Sequence, residues 1–569
     1  YHSFMQMQEK RQTIPNPKYQ PHITGIIQVT IQEDTMKAKR TWWRDGVIYQ
    51  IYPRSFQDTN ADGIGDLQGI IQRLDYLKDL GIDGIWLSPI NPSPDVDFGY
   101  DVSDYLNIDA KFGSMQDFDL LLNEAHRRNI HIIMDLVLNH SSDQHPWFQE
   151  SLKSKDNPYH DWYLWRDPAP DGDYPNNWLS FFGGSGWEYN SSLNQYYYHT
   201  FCPEQPDLNF RNPEVRQAIL DVFRFWLERG VDGFRLDVFN AYFKDRELRD
   251  NPRRRGLHLR PYDRFEHVND ISQPEMFPFL QEIRKLVDKY PNRYVVGETF
   301  LASPVQARMY IAPDLLHAGF DYAYARSPWG PTGFGNAVAY WDALHGEKDW
   351  PNYFLNNHDT PRSASRYVTG EDDARLKLLA SMHLTLRGTP YLYYGEEIGM
   401  RDTRYSRAEI QDPVGKRKWL SVKGRDGCRS PMQWDASANA GFSPAKPWLR
   451  VNPEYPTRNV EAQLQDPESL LNFYRALIRL RRENPALHAG SLELLPLENE
   501  SVLVYKRSAP TQEALIALNF SNHPQQVNLP GEDNTRAWQL LFGGSESDPP
   551  LLDADSLSLP AYGTAILSR

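Results

Sequence analysis

Four short apolar stretches of this chain turn ionisable toward their C-terminal ends. HIIMDLVLNH (131–140) ends in Asn139 and His140, and GFRLDV (233–238) carries Arg235 and Asp237. YVVGET (294–299) carries Glu298, and NYFLNNHD (352–359) ends in His358 and Asp359. A single Asp at such a place more often caps the following helix. Four stretches ending alike define one mouth holding three carboxylates, two imidazoles and a guanidinium. Arg235 and Asp237 stand two apart, so an extended strand puts both on one face, where burial is costly unless they are paired or used.

The chemistry such a mouth can do is cleavage of a glycosidic bond, which needs one carboxyl as acid and another as base or nucleophile. Arg235 is then expected to hold Asp237 ionised by charge and hydrogen bonding, lowering its pKa as a carboxylate nucleophile requires. Glu298 must stay protonated near neutrality, which nearby carboxylates favour.

The elements that must position these groups can be read from the pattern. Candidate strands are 47–53, 84–89, 131–140, 233–238, 294–299, 317–323, 352–359 and 389–397, several apolar throughout, as parallel strands covered by helices are. Amphipathic helical patterns such as PEVRQAILDVFRFWLERG separate them. Strand–helix alternation repeated eight times implies an α/β fold, a (β/α)8 TIM barrel with catalytic groups at the C-terminal strand ends. The expected organisation is an N-terminal extension, poorly ordered, over 1–40 and a barrel over 41–140 and 213–480. A subdomain over 141–212 follows the third strand, a long excursion occupies about 398–455, and an antiparallel β-domain closes the chain over 481–569.

Composition narrows the function classes. A net charge of −14 argues against nucleic acid as a partner, and the 13% aromatic content suits stacking on sugar rings. With two cysteines, Cys202 and Cys428, there is no disulfide framework, no Cys-based zinc site, and a fit to a reducing, cytoplasmic compartment, secretion being left open. No apolar run reaches membrane-span length, and the N-terminus has no signal-peptide core, although the lack of an initial Met is compatible with a removed segment. Oligomeric state is not indicated.

GFRLDV, VGET, NNHD and DLVLNH, in this order, resemble the conserved regions of the α-amylase family, glycoside hydrolase family 13. The resemblance runs from about Trp42 to the C-terminus, and QPDLN (205–209) and DFGYDVSDY (97–105) are similar to its α-glucosidase and oligo-1,6-glucosidase branch. It implies Asp237 as nucleophile, Glu298 as general acid/base and Asp359 as the carboxylate that grips sugar hydroxyls, with retention of configuration and an oligosaccharide or sucrose as substrate. His140 and His358 would bind the same glucose, Tyr100 would stack under it, and Asp97 with Arg425 would close the pocket at its non-reducing end. Phe182 and Phe201 would line the entrance, or simply pack the subdomain. Val238, after the nucleophile, would favour α-1,6 linkages.

The same resemblance implies a structural calcium ion at DTNADGIGD (58–66), with no organic cofactor. Asp58, Asn60 and Asp62 alternate as in an EF-hand loop with Gly63 sixth, but the twelfth position is Gly69, so the bidentate Glu is absent; Asp66 and the Ile64 carbonyl would supply the missing oxygens. A sucrose isomerase or transglucosylase would use the same carboxylates. Isomerases of the branch carry an Arg-rich run beyond strand six, where this chain has Arg326 alone in FDYAYARSPWGPTGFG. A non-catalytic, transporter-associated homologue is remote, since the carboxylates are kept and no membrane anchor is seen.

Overall fold

Eight strands form where the apolar runs lie: β1 (Ile48–Ile51), β2 (Gly84–Leu87), β3 (His131–Leu136), β4 (Gly233–Leu236), β5 (Tyr294–Gly297), β6 (Ala318–Gly319), β7 (Asn352–Phe354) and β8 (Thr389–Tyr393). They pair in the order β7-β8-β1-β2-β3-β4-β5-β6. All these pairings are parallel, and a parallel bridge from Phe320 to Asn352 joins the two edges. The result is a TIM barrel. The computed structural model describes residues 40–569 except 369, 371, 419–423, 497–498, 530–536, 545–547 and 554–555. The extension expected over 1–40 therefore lies, Arg40 apart, outside the described residues.

Alternation along the strands decides what fills the barrel. Ile48, Trp86, Ile133, Tyr294, Val296, Ala318, Phe354 and Tyr391 form one buried apolar cluster drawn from seven of the eight strands. The strand absent from it is β4, whose inward residue is Arg235. Gln50 and Asp135, two residues beyond Ile48 and Ile133, share that inner face. Asp135 and Arg235 are paired in register, and Arg235 pairs in turn with Val296. The interior is thus apolar in one layer and polar in the next toward the C-terminal mouth.

The strands are shorter than the sequence suggested, and the difference places the chemistry. β4 ends at Leu236 and β5 at Gly297, so Asp237 and Glu298 are the first residues past the ladder. The helices between strands start where short polar side chains can take up free N–H groups. Ser114 and Asp117 form a reciprocal cap on Met115–Arg127, and Asn212 caps Pro213–Arg229, which stops at Gly230 in the left-handed conformation. No helix among the described residues is long and apolar enough to cross a membrane.

Three excursions build on the barrel. Residues after β3 form a small antiparallel sheet of Trp165–Arg166, Gln195–Tyr198 and Trp187–Asn190, tied back to the barrel by a bridge between His140 and Asp207. After β8 the chain runs with few regular elements, among them Pro413–Lys418 and the 3-10 turn Asp426–Arg429, before the helix Leu470–Glu483. The C-terminal part is antiparallel, with a five-stranded and a three-stranded sheet packed through Val504, Leu515, Ala517, Val527, Leu557 and Leu567.

Candidate active site

Arg235 is the hub of the mouth. Its Nη1 donates to Asp135 Oδ1 at 2.8 Å and to Asp237 Oδ1 at 2.6 Å, and its Nη2 donates to Glu298 Oε2. Trp86 Nε1 and the Tyr100 hydroxyl donate to the other Asp135 oxygen, at 3.2 and 3.1 Å. The Tyr322 hydroxyl donates to Glu298 Oε1 at 2.6 Å. One guanidinium, itself buried, therefore serves three carboxyl groups on three adjacent strands.

Burial, and after it that sharing, overturns the expected direction of the Asp237 pKa. Burial pushes its carboxyl well above the usual range; Arg235 pulls it back, but Glu298 and Asp135 push it up again. Asp135 is likewise raised, to about 6, by burial against the pull of Arg235. Three carboxyl groups share one cation in this site, so the neighbouring negative charges add to burial in opposing the ionisation of Asp237 and Asp135.

Asp359 is held the other way. Burial pushes it up, yet His358, Arg425 and Arg429 together hold it below the ordinary carboxylate range. Arg429 Nη2 reaches Asp359 Oδ1 at 2.9 Å and Arg425 Nη1 reaches it at 3.3 Å. His358 lies behind, its ring stacked on Tyr100 with centroids 5.3 Å apart. Gln50 Nε2 donates to His358 Nδ1 at 2.8 Å, which leaves the ring proton on Nε2, 2.6 Å from the Tyr100 oxygen. Burial lowers the His358 pKa to about 3, so the ring is neutral. His140 is also lowered by burial, and its Nε2 donates to the Tyr100 carbonyl at 2.9 Å.

Arg425 closes the inner end. It donates to Asp97, and through Nε and Nη2 to Asp412 at 2.9 and 2.6 Å. Val238 turns the chain away just past Asp237, with φ 33° and ψ 37°. The left-handed region is strained for a β-branched residue, at about 1–3 kcal/mol. What holds the turn is Asn240, which donates to the Phe300 carbonyl at 2.9 Å and accepts from the Phe300 N–H at 2.7 Å.

These groups open on a cavity of about 700 Å³. Of the residues singled out in the sequence, Asp97, Tyr100, His140, Phe182, Phe201, Asp237, Val238, Glu298, Asp359 and Arg425 line it. Arg235 and His358 do not; both lie beneath the floor, each about 1% exposed. Four site residues had escaped the sequence reading: Asp135, Tyr322, Asp412 and Arg429. Asp135 had a usable signal, a lone charge inside an apolar strand.

The loop 58–66 is elsewhere. Asp58 accepts from the N–H groups of Asn60, Ala61 and Gly63 and from the Ser443 hydroxyl. Asp62 accepts from the Ile64 N–H at 2.7 Å, and Asp66 caps the following helix at Gly69. The oxygen-only donor set fits a hard cation, and the same Asp58 and Asp62 carboxylates accept the hydrogen bonds that hold the turn. Among the described residues no three His, Cys, Asp or Glu side chains are grouped to hold a metal.

Comparison with known proteins agrees with this architecture. The model of the alpha amylase catalytic domain matches residues 50–490, and that of the maltogenic amylase C-terminal domain matches 492–566. A probable alpha-glucosidase from Rhizobium meliloti (strain 1021) is 44% identical, over 94% of this chain and 99% of its own length. Among solved structures, the alpha-glucosyl transfer enzyme XgtA superposes with a TM-score of 0.89 at 40% identity, over 93% of this chain and all of the other. The trehalulose synthase MutB superposes with a TM-score of 0.85 at 37% identity, again over 93% of this chain and all of the other.

Proposed function

The chain belongs to the α-amylase family of glycoside hydrolases, and we propose that within it this enzyme is an exo-acting, retaining α-glucosidase releasing terminal glucose from short oligosaccharides or sucrose. The observation that carries this reading is the sealed inner end. Arg425 is clamped between Asp97 and Asp412 and reaches Asp359, and on this reading that cross-link leaves no room for a sugar beyond the one beside Asp237.

On this reading Glu298 gives its proton to the departing oxygen as Asp237 attacks C1 from the opposite side. The C1–O bond to the leaving group breaks and a C1–Oδ ester forms. Glu298 then takes a proton from water as that oxygen displaces Asp237, so configuration is retained. Arg235 fixes both carboxyl groups from below and compensates the charge that alternates between them. Asp359, kept ionised, grips hydroxyls of the bound glucose. Tyr100 and His140 offer it a wall, while neutral His358 orients Tyr100 and Asp359 from behind. The stretch beyond the sixth strand holds Arg326 alone where isomerases of the branch carry an Arg-rich run, which counts against the intramolecular transfer of an isomerase.

A panel of maltose, isomaltose, sucrose, longer glucans and amylose tests this. Short substrates should be cleaved far better than starch, and Asp97→Ala should lower kcat/KM on them by about 10–100-fold, the worth of hydrogen bonds to a buried charge. Early release of large internal fragments from amylose would contradict exo action. In the same panel Val238→Thr should move the kcat/KM ratio of isomaltose to maltose toward maltose, by up to about tenfold. An unchanged ratio would remove Val238 from linkage choice.

For the 58–66 loop we keep a structural calcium ion on Asp58, Asn60, Asp62, Asp66 and the Ile64 carbonyl. Because hydrogen bonds to Asp58 and Asp62 also hold the turn, the expected effect is moderate. Millimolar calcium should raise Tm by a few degrees over the chelated protein and leave kcat alone. Equal Tm values in calcium and chelator would dismiss the ion.

A further inference from the structure

The small sheet of the inserted subdomain carries an aromatic face that runs out into water. Residues directly opposite on antiparallel strands share a face. Arg166 pairs with Tyr196 and Tyr196 with Tyr189, so the three side chains form one row across the sheet. The face begins buried, where Leu164, Trp178, Trp187 and Tyr198 pack together with Tyr196 against them. It ends exposed, at Tyr189 (46%) and Tyr174 (47%). The Tyr174 and Tyr189 rings stand 5.4 and 5.1 Å from that of Tyr196, tilted to it by 56° and 54°. The Tyr189 hydroxyl donates to Asn194 Oδ1 at 2.8 Å, which fixes its ring. Neighbouring large rings left in water mark a binding face.

The row leads into a cavity of about 550 Å³, within the roughly 300–1,000 Å³ of small-molecule sites. Arg166, Leu164 and Leu248 line it, and both leucines belong to the aromatic face. It shares no lining residue with the cavity that holds Asp237. The rest of its wall is polar, with four basic side chains facing three carboxylates, so the charge is near balance and does not select an ion. Three of these groups are already engaged: Lys244 with Asp207 at 2.7 Å, Arg211 with Glu275 at 2.6 Å and Asp245 with Arg249 at 2.6 Å. Arg166 and Arg246 stand in no salt bridge among the described residues. Asp161 accepts from the side-chain amides of Asn209 and Asn212 at 3.2 and 3.4 Å, which leaves it acceptor capacity.

We propose that the tyrosine row and this cavity form a second carbohydrate site, which holds a chain of α-linked glucose without cleaving it. Each pyranose offers an apolar C–H face to a ring and hydroxyls that both donate and accept, which a wall of guanidinium, carboxylate and amide groups can meet. The tilt from one ring to the next suits a chain that curves, as α-linked glucose does, over a flat β-linked one. An inorganic anion would leave the tyrosines unused, and an apolar ligand would strand the polar wall. A chain held here keeps its ends at high local concentration around the enzyme. The site needs no turnover and does not rest on the glucosidase reading.

The test is native electrophoresis of the whole enzyme through gels containing soluble starch, hydroxyethyl cellulose or no polysaccharide, with Asp237→Asn as background so that nothing is hydrolysed. Starch should retard the protein and hydroxyethyl cellulose should not. Tyr174→Ala, Tyr189→Ala and Arg166→Ala, all at exposed positions, should each reduce the retardation severalfold. With Asp237 restored, the same three variants should hydrolyse p-nitrophenyl α-glucoside at the wild-type rate, which reports an intact fold and an untouched catalytic site. No retardation by starch, or equal retardation by hydroxyethyl cellulose, would overturn the site. Retardation reduced only where hydrolysis falls with it would do the same. So would retardation that all three variants leave unchanged, which would assign the binding to chain ends in the catalytic cavity.

Discussion

Asp237→Asn is expected to lose turnover by on the order of 10⁴-fold or more, the scale on which a covalent nucleophile is missed, with no loss of Tm. The amide has the size of the carboxyl and its oxygen can still accept from Arg235 Nη1, which now lies 2.6 Å away. It cannot attack C1. The fold should tolerate the change because the site holds more carboxylates than cations; one fewer relieves Asp135 and Glu298. Glu298→Gln should behave differently. Proton donation is worth about 10²–10⁴-fold, and only poor leaving groups need it, so p-nitrophenyl α-glucoside should be spared relative to maltose in the first step. The glucosyl-enzyme should then accumulate for want of a base. Azide, which needs none, should restore release and give the α-configured glucosyl azide, since it displaces Asp237 from the opposite face. Wild-type turnover by Asp237→Asn would remove the nucleophile role, and the absence of azide rescue in Glu298→Gln would remove the acid/base role.

The acid limb of the pH profile follows from the same crowding. Asp237 is raised above the ordinary range, first by burial and then by Glu298 and Asp135. Removing one of those negative neighbours lowers it, so Asp135→Asn should move the acid limb of kcat/KM to lower pH. The limb reports the coupled cluster, not one carboxyl, and a shift upward would contradict the assigned geometry.

How much of this was legible beforehand depended on whether a signal was local. The eight strands were, because parallel strands buried on both faces read as apolar runs. Their exact ends were not: GFRLDV reads as one strand, yet the ladder stops at Leu236 and Val238 already has positive φ. Asp237, Glu298 and Asp359 could be found because each breaks an apolar run at its end. Asp135 breaks one in the middle, and its meaning appears only when the β3–β4 register sets it against Arg235. Asp412 and Arg429 lie in an excursion with almost no periodic pattern, so nothing local ties them to Arg425 or Asp359. The Asp237 pKa was misread for a related reason. One arginine two residues away suggests a simple ion pair, while what decides the direction is the burial of the carboxyl and then the carboxylates around that arginine in space.

Arg235 therefore answers for more than one neighbour, and its removal should show this in stability as well as in rate. Replacing it with Met leaves Asp135, Asp237 and Glu298 without their shared cation, and breaking a buried ion cluster in this way costs about 3–5 kcal/mol at neutral pH. The sign of the pH dependence is set by the directions of the shifts. Asp135 is raised to about 6 and Asp237 is also raised. The folded protein thus binds more protons than the unfolded chain between about pH 4 and those values. The stability linked to these groups is full below about pH 4 and is lost as pH rises through the folded pKa values. Without Arg235 those pKa values rise further, so the penalty of Arg235→Met should be small near pH 5, where the orphaned carboxyls take up protons, and large near pH 8. Arg235→Lys should rescue little, because one ammonium cannot meet two strands' carboxylates on one side and a third on the other as the planar fork does. Guanidinium unfolding of the three proteins at both pH values measures this directly. A penalty independent of pH, or a lysine variant as stable and active as the wild type, would mean that Arg235 merely fills space between the strands.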